Sequence, residues 1–197
     1  MQRPLSIIAH LMDEARFLSG KLLLAMPGIG DPRFERAVIA MCSHDEQGAL
    51  GVGIGHVVPQ IGLHALLKQF DIAVDHLPDG PVYHGGPVEP QRGFVLHSLD
   101  WGGQGTVDVA GRWAMTGTIE VLRVIGTPQG PRRWLVALGY AGWGEGQLER
   151  EMQRHGWHMV DGDESLVFDP EADQKWPLAF SRDGIDSRLL ANESGHA

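Results

Sequence analysis

Val38-Ile39-Ala40-Met41-Cys42 is an apolar run of strand length, and Ala49-Leu50-Gly51-Val52-Gly53-Ile54 is a second, reached through the polar turn Ser43 to Gly48. No helix intervenes. That absence decides the fold class, because a doubly wound sheet alternates every strand with a helix. The same mixed order continues outward. Upstream, Lys21 to Met26 reads as a short strand ended by Pro27-Gly28, and Asp31-Pro32 opens a short helix with Asp as N-cap and Pro at N1. Downstream, Leu63, Leu66, Leu67 and Phe70 have helical spacing, and Val82 to His84 and Phe94 to His97 are strands flanking Gly85-Gly86-Pro87. Thr106 to Val109 and Arg112 to Met115 form a hairpin around Ala110-Gly111. Thr118 caps a helix that Gly126 stops, and Trp134 to Leu138 is a core strand. Gln147 to His155 is a helix, Leu166 to Phe168 a late strand, and Ala172, Trp176, Ala179 and Phe180 mark a last helix, bent or restarted at Pro177. The pattern is α+β.

The length, 197 residues, fits one domain, and 43% hydrophobic residues suffice for a sizeable core without staples. Sixteen Lys and Arg stand against twenty-five Asp and Glu, a formal net charge of −9. That balance works against direct binding to nucleic acid or an anionic membrane. A single cysteine excludes an internal disulfide framework and a Cys-rich zinc site. Residues 1–17 read as an amphipathic helical extension, with Ile8, Leu11, Met12 and Ala15 on one face, residues 18–183 as the domain, and 184–197 as a flexible tail. The apolar stretch Leu5 to Ala9 is shorter than a signal segment and no run reaches membrane-span length, so a cytoplasmic protein is expected.

The sequence carries no cofactor motif. Gly51, Gly53 and Gly55 alternate, whereas a dinucleotide turn needs Gly-x-Gly-x-x-Gly opening a helix, and there is no P-loop. In a strand, alternation bares one face, where another backbone approaches closely. His84-Gly85-Gly86-Pro87 resembles an esterase oxyanion loop, but no Gly-x-Ser-x-Gly elbow accompanies it, and a tight turn is the simpler account. Cys42 and His44 are candidate catalytic partners if the imidazole activates the thiol and the strand continues far enough to place both on one face. The alternative is a small buried hydrophobe. Ten histidines include His-x-x-His at 155 and 158, yet Gly156 breaks that helix and no His-Glu-x-x-His occurs, so no metal is expected.

Gly20-Lys21-Leu22-Leu23-Leu24-Ala25-Met26-Pro27 with Asp31-Pro32-Arg33-Phe34, Cys42-Ser43-His44-Asp45 with Gly48-Ala49-Leu50-Gly51, and Gly85-Gly86-Pro87-Val88 form a series of blocks. Arg92-Gly93-Phe94-Val95-Leu96-His97, Leu138-Gly139-Tyr140-Ala141-Gly142-Trp143 and Gly146-Gln147-Leu148-Glu149 continue it. Over roughly 18–182 this series resembles the YqgE/AlgH family. The resemblance implies an α+β single domain with a small barrel-like mixed sheet surrounded by helices, in a bacterial cytoplasmic protein of a family commonly described as transcriptional regulators. It brings no catalytic residue. The chain departs from it at Gly55-His56-Val57, where the family often carries Asn-Lys or Asn-Arg followed by Pro.

No helix-turn-helix with a basic recognition helix is present, so a regulatory effect is expected to be indirect, through a protein or small-molecule partner. The leading expectation is a non-enzymatic binding protein. Its groove would be lined by Asp31, His44, Gly85, Gly86, Arg92, His97, Tyr140 and Trp143, with Arg92 meeting a carboxylate or phosphate and Trp143 forming an apolar wall. Arg92 could instead bridge an internal carboxylate. The rivals are a hydrolase or thiol enzyme using Cys42 and His44, and a direct DNA binder.

Overall fold

A computed structural model describes residues 17–169 and 171–190. The amphipathic helix expected over 1–17 falls outside these residues except for Phe17, as does the tail beyond Leu190. Ten strands run β1 (Lys21–Ala25), β2 (Val38–Asp45), β3 (Gly48–Gly53), β4 (Val57–Gly62), β5 (Pro81–His84), β6 (Val88–His97), β7 (Thr106–Val109), β8 (Trp113–Thr116), β9 (Trp134–Gly144) and β10 (Trp157–Asp161). Among the described residues five helices accompany them: α1 (Leu63–Lys68), α2 (Ile119–Val124), α3 (Gln147–Gln153), α4 (Glu164–Phe168) and α5 (Ala172–Arg182). Short 3-10 turns cover Pro32–Phe34 and Ser187–Leu189.

The strand order is β10-β1-β2-β3-β9-β6-β8-β7, with β5 joined in parallel to β9 and β4 paired to β5. Every pair except β5–β9 is antiparallel. Both ends of this sheet feed one core. Leu22 and Leu24 of β1, Val38 and Ala40 of β2, and Val109 and Trp113 at the β7–β8 end pack together, so the sheet curls into a half-barrel around them. Trp176 and Phe180 of α5 join the same core. The outer face divides in two. Leu23, Ile39 and Met41 lie under Leu148 of α3. Val95 and Val136 lie under Leu63 and Leu67 of α1 and Val121 of α2.

Glycines hold the sheet's two halves together. Gly53 N–H donates to the Gly85 carbonyl (2.7 Å), and Gly85 N–H donates to the Leu138 carbonyl (2.8 Å). A Cβ on Gly85 would stand 2.1 Å from the Gly139 oxygen, and one on Gly53 would stand 2.5 Å from the His84 oxygen. Gly139 adopts φ +75°, and there β9 changes which residues face inward. Leu135 and Ala137 point into the half-barrel, whereas Ala141 and Trp143 point outward beneath α3. One long strand thereby serves both halves.

Three sequence readings need correction. Leu166 to Phe168 is not a strand but the end of α4, because Asp163 caps a helix there, its carboxylate accepting Leu166 N–H at 2.8 Å. The turn from Ser43 to Gly48 shrinks to Glu46-Gln47, since β2 continues to Asp45, whose carboxylate accepts Gln47 N–H at 2.8 Å. Helix α3 stops at Gln153, and His155 at φ +58° makes the exit expected of Gly156. Strands β4 and β10 have no counterpart in the sequence reading. Helix α5 runs through Pro177 without a restart.

The glycine contacts set the first expectation. Gly85→Ala must force the β5–β9 backbones apart and is expected to lower unfolding free energy by about 3 kcal/mol or more. Denaturant unfolding of the variant beside Gly93→Ala, whose added methyl would meet no atom within 4 Å, reads this directly.

Candidate functional site

The eight expected groove residues do not share one concavity. His44 and Trp143 share a face, since both pair through Ala49 across β2, β3 and β9. The His44 ring is covered: Nδ1 accepts Leu18 N–H (3.2 Å), Nε2 lies 3.0 Å from Glu149 Oε1, and Phe17 meets it edge-on. Trp143 Nε1 and Trp157 Nε1 both donate to Glu151 Oε2 at 2.9 Å. Arg92 and Tyr140 lie elsewhere, each against Phe94. Arg92 pairs with Glu89 (2.9 Å) and lies over Phe94, which meets Tyr140 edge-on at 5.8 Å. His97 is fully buried, its Nδ1 facing the Ser98 carbonyl and its Nε2 facing Thr116 Oγ1, both at 2.9 Å. Burial holds its pKa below the ordinary histidine value. Gly85 and Gly86 serve the strand junction. Asp31 lines a cavity of about 370 Å³, and Gly85 and Gly86 line a much narrower one with His56 and His84.

Cys42 and His44 do not form a pair. A β-bulge between Met41 and Ser43 leaves Cys42 as the extra residue. Cys42 keeps the inward alternation of Val38 and Ala40 and lies in the half-barrel core, and the bulge turns His44 to the opposite side, under α3. The thiol donates to the Ala40 carbonyl (3.4 Å), and burial pushes it up to about 12, against weaker lowering by Trp113 and the Val52 backbone. A thiolate has no support there.

The structure instead builds a groove where the loop after β1 faces α5 and the Ser187–Leu189 turn. Asp31 caps the 3-10 turn as its position before Pro32 requires, accepting Arg33 N–H at 3.0 Å, and its carboxyl is held below the usual range by the Arg33 guanidinium. The chain then passes Glu35 and reaches Arg36 at φ +53°, a left-handed conformation that costs a residue with a Cβ about 1 kcal/mol or more. That backbone places the exposed Arg36 guanidinium over the Trp176 ring, 5.6 Å from its centre. Trp176 is itself fixed, its Nε1 donating to the Ala25 carbonyl at 2.9 Å and its ring edge-on to Phe180.

This pair divides two cavities. One of about 370 Å³ is walled by Met26 to Pro32 and Leu190; the other, about 300 Å³, by Gly55, His56, Ala172, Asp173 and Pro177. Arg36, Trp176, Ser187 and Arg188 line both. Burial, then the neighbouring His84, holds His56 below its ordinary pKa, with Glu35 acting the other way. Among the described residues Arg36 makes no ion pair, whereas Arg188 is held by Asp186 at 2.7 Å. Such an arrangement can hold an anion beside an apolar wall. Among the described residues no group of three His, Cys, Asp or Glu side chains could hold a metal ion, and no helix is long and apolar enough to cross a membrane.

In the sequence Trp176 reads only as a core position of the last helix, and nothing singles out Arg36. No local pattern marks Arg36, because the wall it completes comes from the opposite end of the domain, at Trp176 and the Ser187–Leu189 turn.

Beneath Trp176, Lys175 is fully buried, donating to the Val167 carbonyl with Tyr83 at 5.7 Å. Burial lowers its pKa from 10.5 to about 8, with Asp169 and then Glu171 opposing. The unfolded chain therefore binds more protons than the native one between those values, and native stability rises with pH across that window. Lys175→Met is expected to raise unfolding free energy at pH 7 by about 1–3 kcal/mol, with the gain shrinking from pH 8 to 10.5. Thermal unfolding of both proteins over this range measures it.

Comparison with known proteins places this architecture. A family model described as AlgH-like matches residues 22–188. A UPF0301 protein from Rhizorhabdus wittichii is 58% identical over 186 residues, covering 94% of this chain and all of its own, and one from Sphingopyxis alaskensis is 55% identical with the same coverage. The solution structure of the AlgH protein from Pseudomonas aeruginosa superposes with a TM-score of 0.73 at 36% identity, covering 92% of this chain and 96% of that one. A crystal structure of a Corynebacterium diphtheriae protein shares the fold at 20% identity, with a TM-score of 0.71 over 88% of this chain and 91% of that one.

Proposed function

The chain belongs to the AlgH-like family, and we propose that it is a non-enzymatic ligand-binding protein whose site is the groove divided by Arg36 and Trp176. The observation that carries this reading is Arg36 itself. It is exposed, held in a strained backbone conformation, stacked on an anchored indole, and without a carboxylate partner among the described residues. Backbone strain that its own exposed cation–π contact does not offset marks Arg36 as a candidate functional position. The flanking volumes are of the size that small ligands or short chain segments occupy.

A regulatory role belongs to the same proposal, exercised in the bacterial cytoplasm through occupancy of this groove. A net charge of −9 weighs against direct DNA contact. Catalysis by Cys42 and His44 has no place in it, since the buried thiol and the covered imidazole face different sides of the sheet.

Glutarate is a suitable probe of the anion position. Titration of isotopically labelled protein is expected to move the Trp176 indole N–H resonance in a saturable way, and Arg36→Ala is expected to weaken that response about tenfold or more. No movement at any soluble concentration, or an unchanged response in Arg36→Ala, contradicts the reading.

A further inference from the structure

We propose that the groove docks an extended acidic segment of a protein partner, with an Asp or Glu side chain of that segment seated on Arg36. This rests on the groove being the binding site and specifies what fills it.

The two cavities lie side by side with Arg36 and Trp176 in both linings, so the site is elongated and its cation lies between the two volumes. The charges along it are mixed. Asp31 is occupied by Arg33 and Arg188 by Asp186. That leaves Arg36 flanked by Glu35 in the first cavity and Asp173 in the second, neither in an ion pair among the described residues. A compact inorganic anion gains from Arg36 but is repelled by both carboxylates. A peptide differs, because it carries N–H donors on either side of its acidic side chain, and carboxylates accept those donors.

Helix α5 leaves a further acceptor at a groove residue. Pro177 has no N–H, so the carbonyl of Asp173, a residue that lines the second cavity, lacks the i+4 donor that an ordinary helix supplies. In the first cavity, Gly28 and Gly30 have nothing within 4 Å of where a side chain would begin, which leaves their backbone open to another main chain. Met26, Ile29 and Trp176 supply apolar surface for the alternate side chains of an extended segment. Carboxylate, amide donors and apolar side chains at alternate positions occur together in an acidic peptide and not in a simple anion.

Selection of a random heptapeptide library on the full chain, and in parallel on Arg36→Ala, tests this. Arg36 is exposed, and the variant's amide spectrum verifies its fold. The expected result is enrichment of Asp or Glu at one fixed position with apolar neighbours. A synthetic copy of the best peptide should bind Arg36→Ala at least tenfold more weakly, and its Glu-to-Gln or Asp-to-Asn version should lose as much on the wild-type chain. Absence of an enriched acidic position, or binding unchanged in Arg36→Ala, overturns the proposal. If glutarate moves the Trp176 resonance while no peptide is enriched, the groove is a small-anion site and the peptide occupant falls alone. If neither probe responds, both readings fall.

Discussion

Backbones that touch are the constraint on which this fold is built. Where β3, β5 and β9 meet, Gly53, Gly85 and Gly139 bring main chain against main chain at distances that leave no room for a methyl group. The hydrogen bonds made there, from Gly53 to Gly85 and from Gly85 to Leu138, tie the two halves of the curled sheet. Without this approach β9 could not serve both halves. The half-barrel core of Leu22, Val38, Trp113 and Phe180 would then lose its enclosure. The same junction sets the groove's far wall, because His84 N–H bonds to the His56 carbonyl at 2.9 Å and so fixes the corner beside Arg36.

A rigid back and a strained front make a coherent site. Trp176 is bonded to β1 through Ala25 and packed on Phe180, so its ring has little freedom. Arg36 reaches it only through an unfavourable backbone conformation. An exposed cation–π contact returns about 0.5–1 kcal/mol, no more than the left-handed backbone costs. The contact therefore does not account for its own geometry by stability. Next to Trp176 in the chain, Lys175 holds a buried ammonium with one carbonyl acceptor among the described residues, a second departure from the most stable choice beside the groove.

What the sequence discloses follows the range of the interaction. Asp31 with Pro32 announces a capped turn, because cap and donor are two residues apart. The alternating Gly51 and Gly53 announce close packing, and the structure puts the Ile39 side chain and the His84 carbonyl against them. Bulges are another matter. Cys42 and His44 look like same-face neighbours, and one extra residue in β2 sends them to opposite faces. Three apolar residues at Leu166 to Phe168 fit strand and helix equally, and the Asp163 cap decides. Arg36 stays hidden, since its significance lies in a ring far along the chain and a backbone angle that no propensity foretells.

The proposed function requires that Arg36 be held for recognition and not for the fold. Equilibrium unfolding of Arg36→Gly separates these roles, because glycine accepts φ +53° without strain while removing the guanidinium from Trp176. The expected unfolding free energy is equal to or above that of the wild-type chain. A loss of more than about 1 kcal/mol would show that the stacked pair is a structural fastening, and a recognition role for Arg36 would be contradicted.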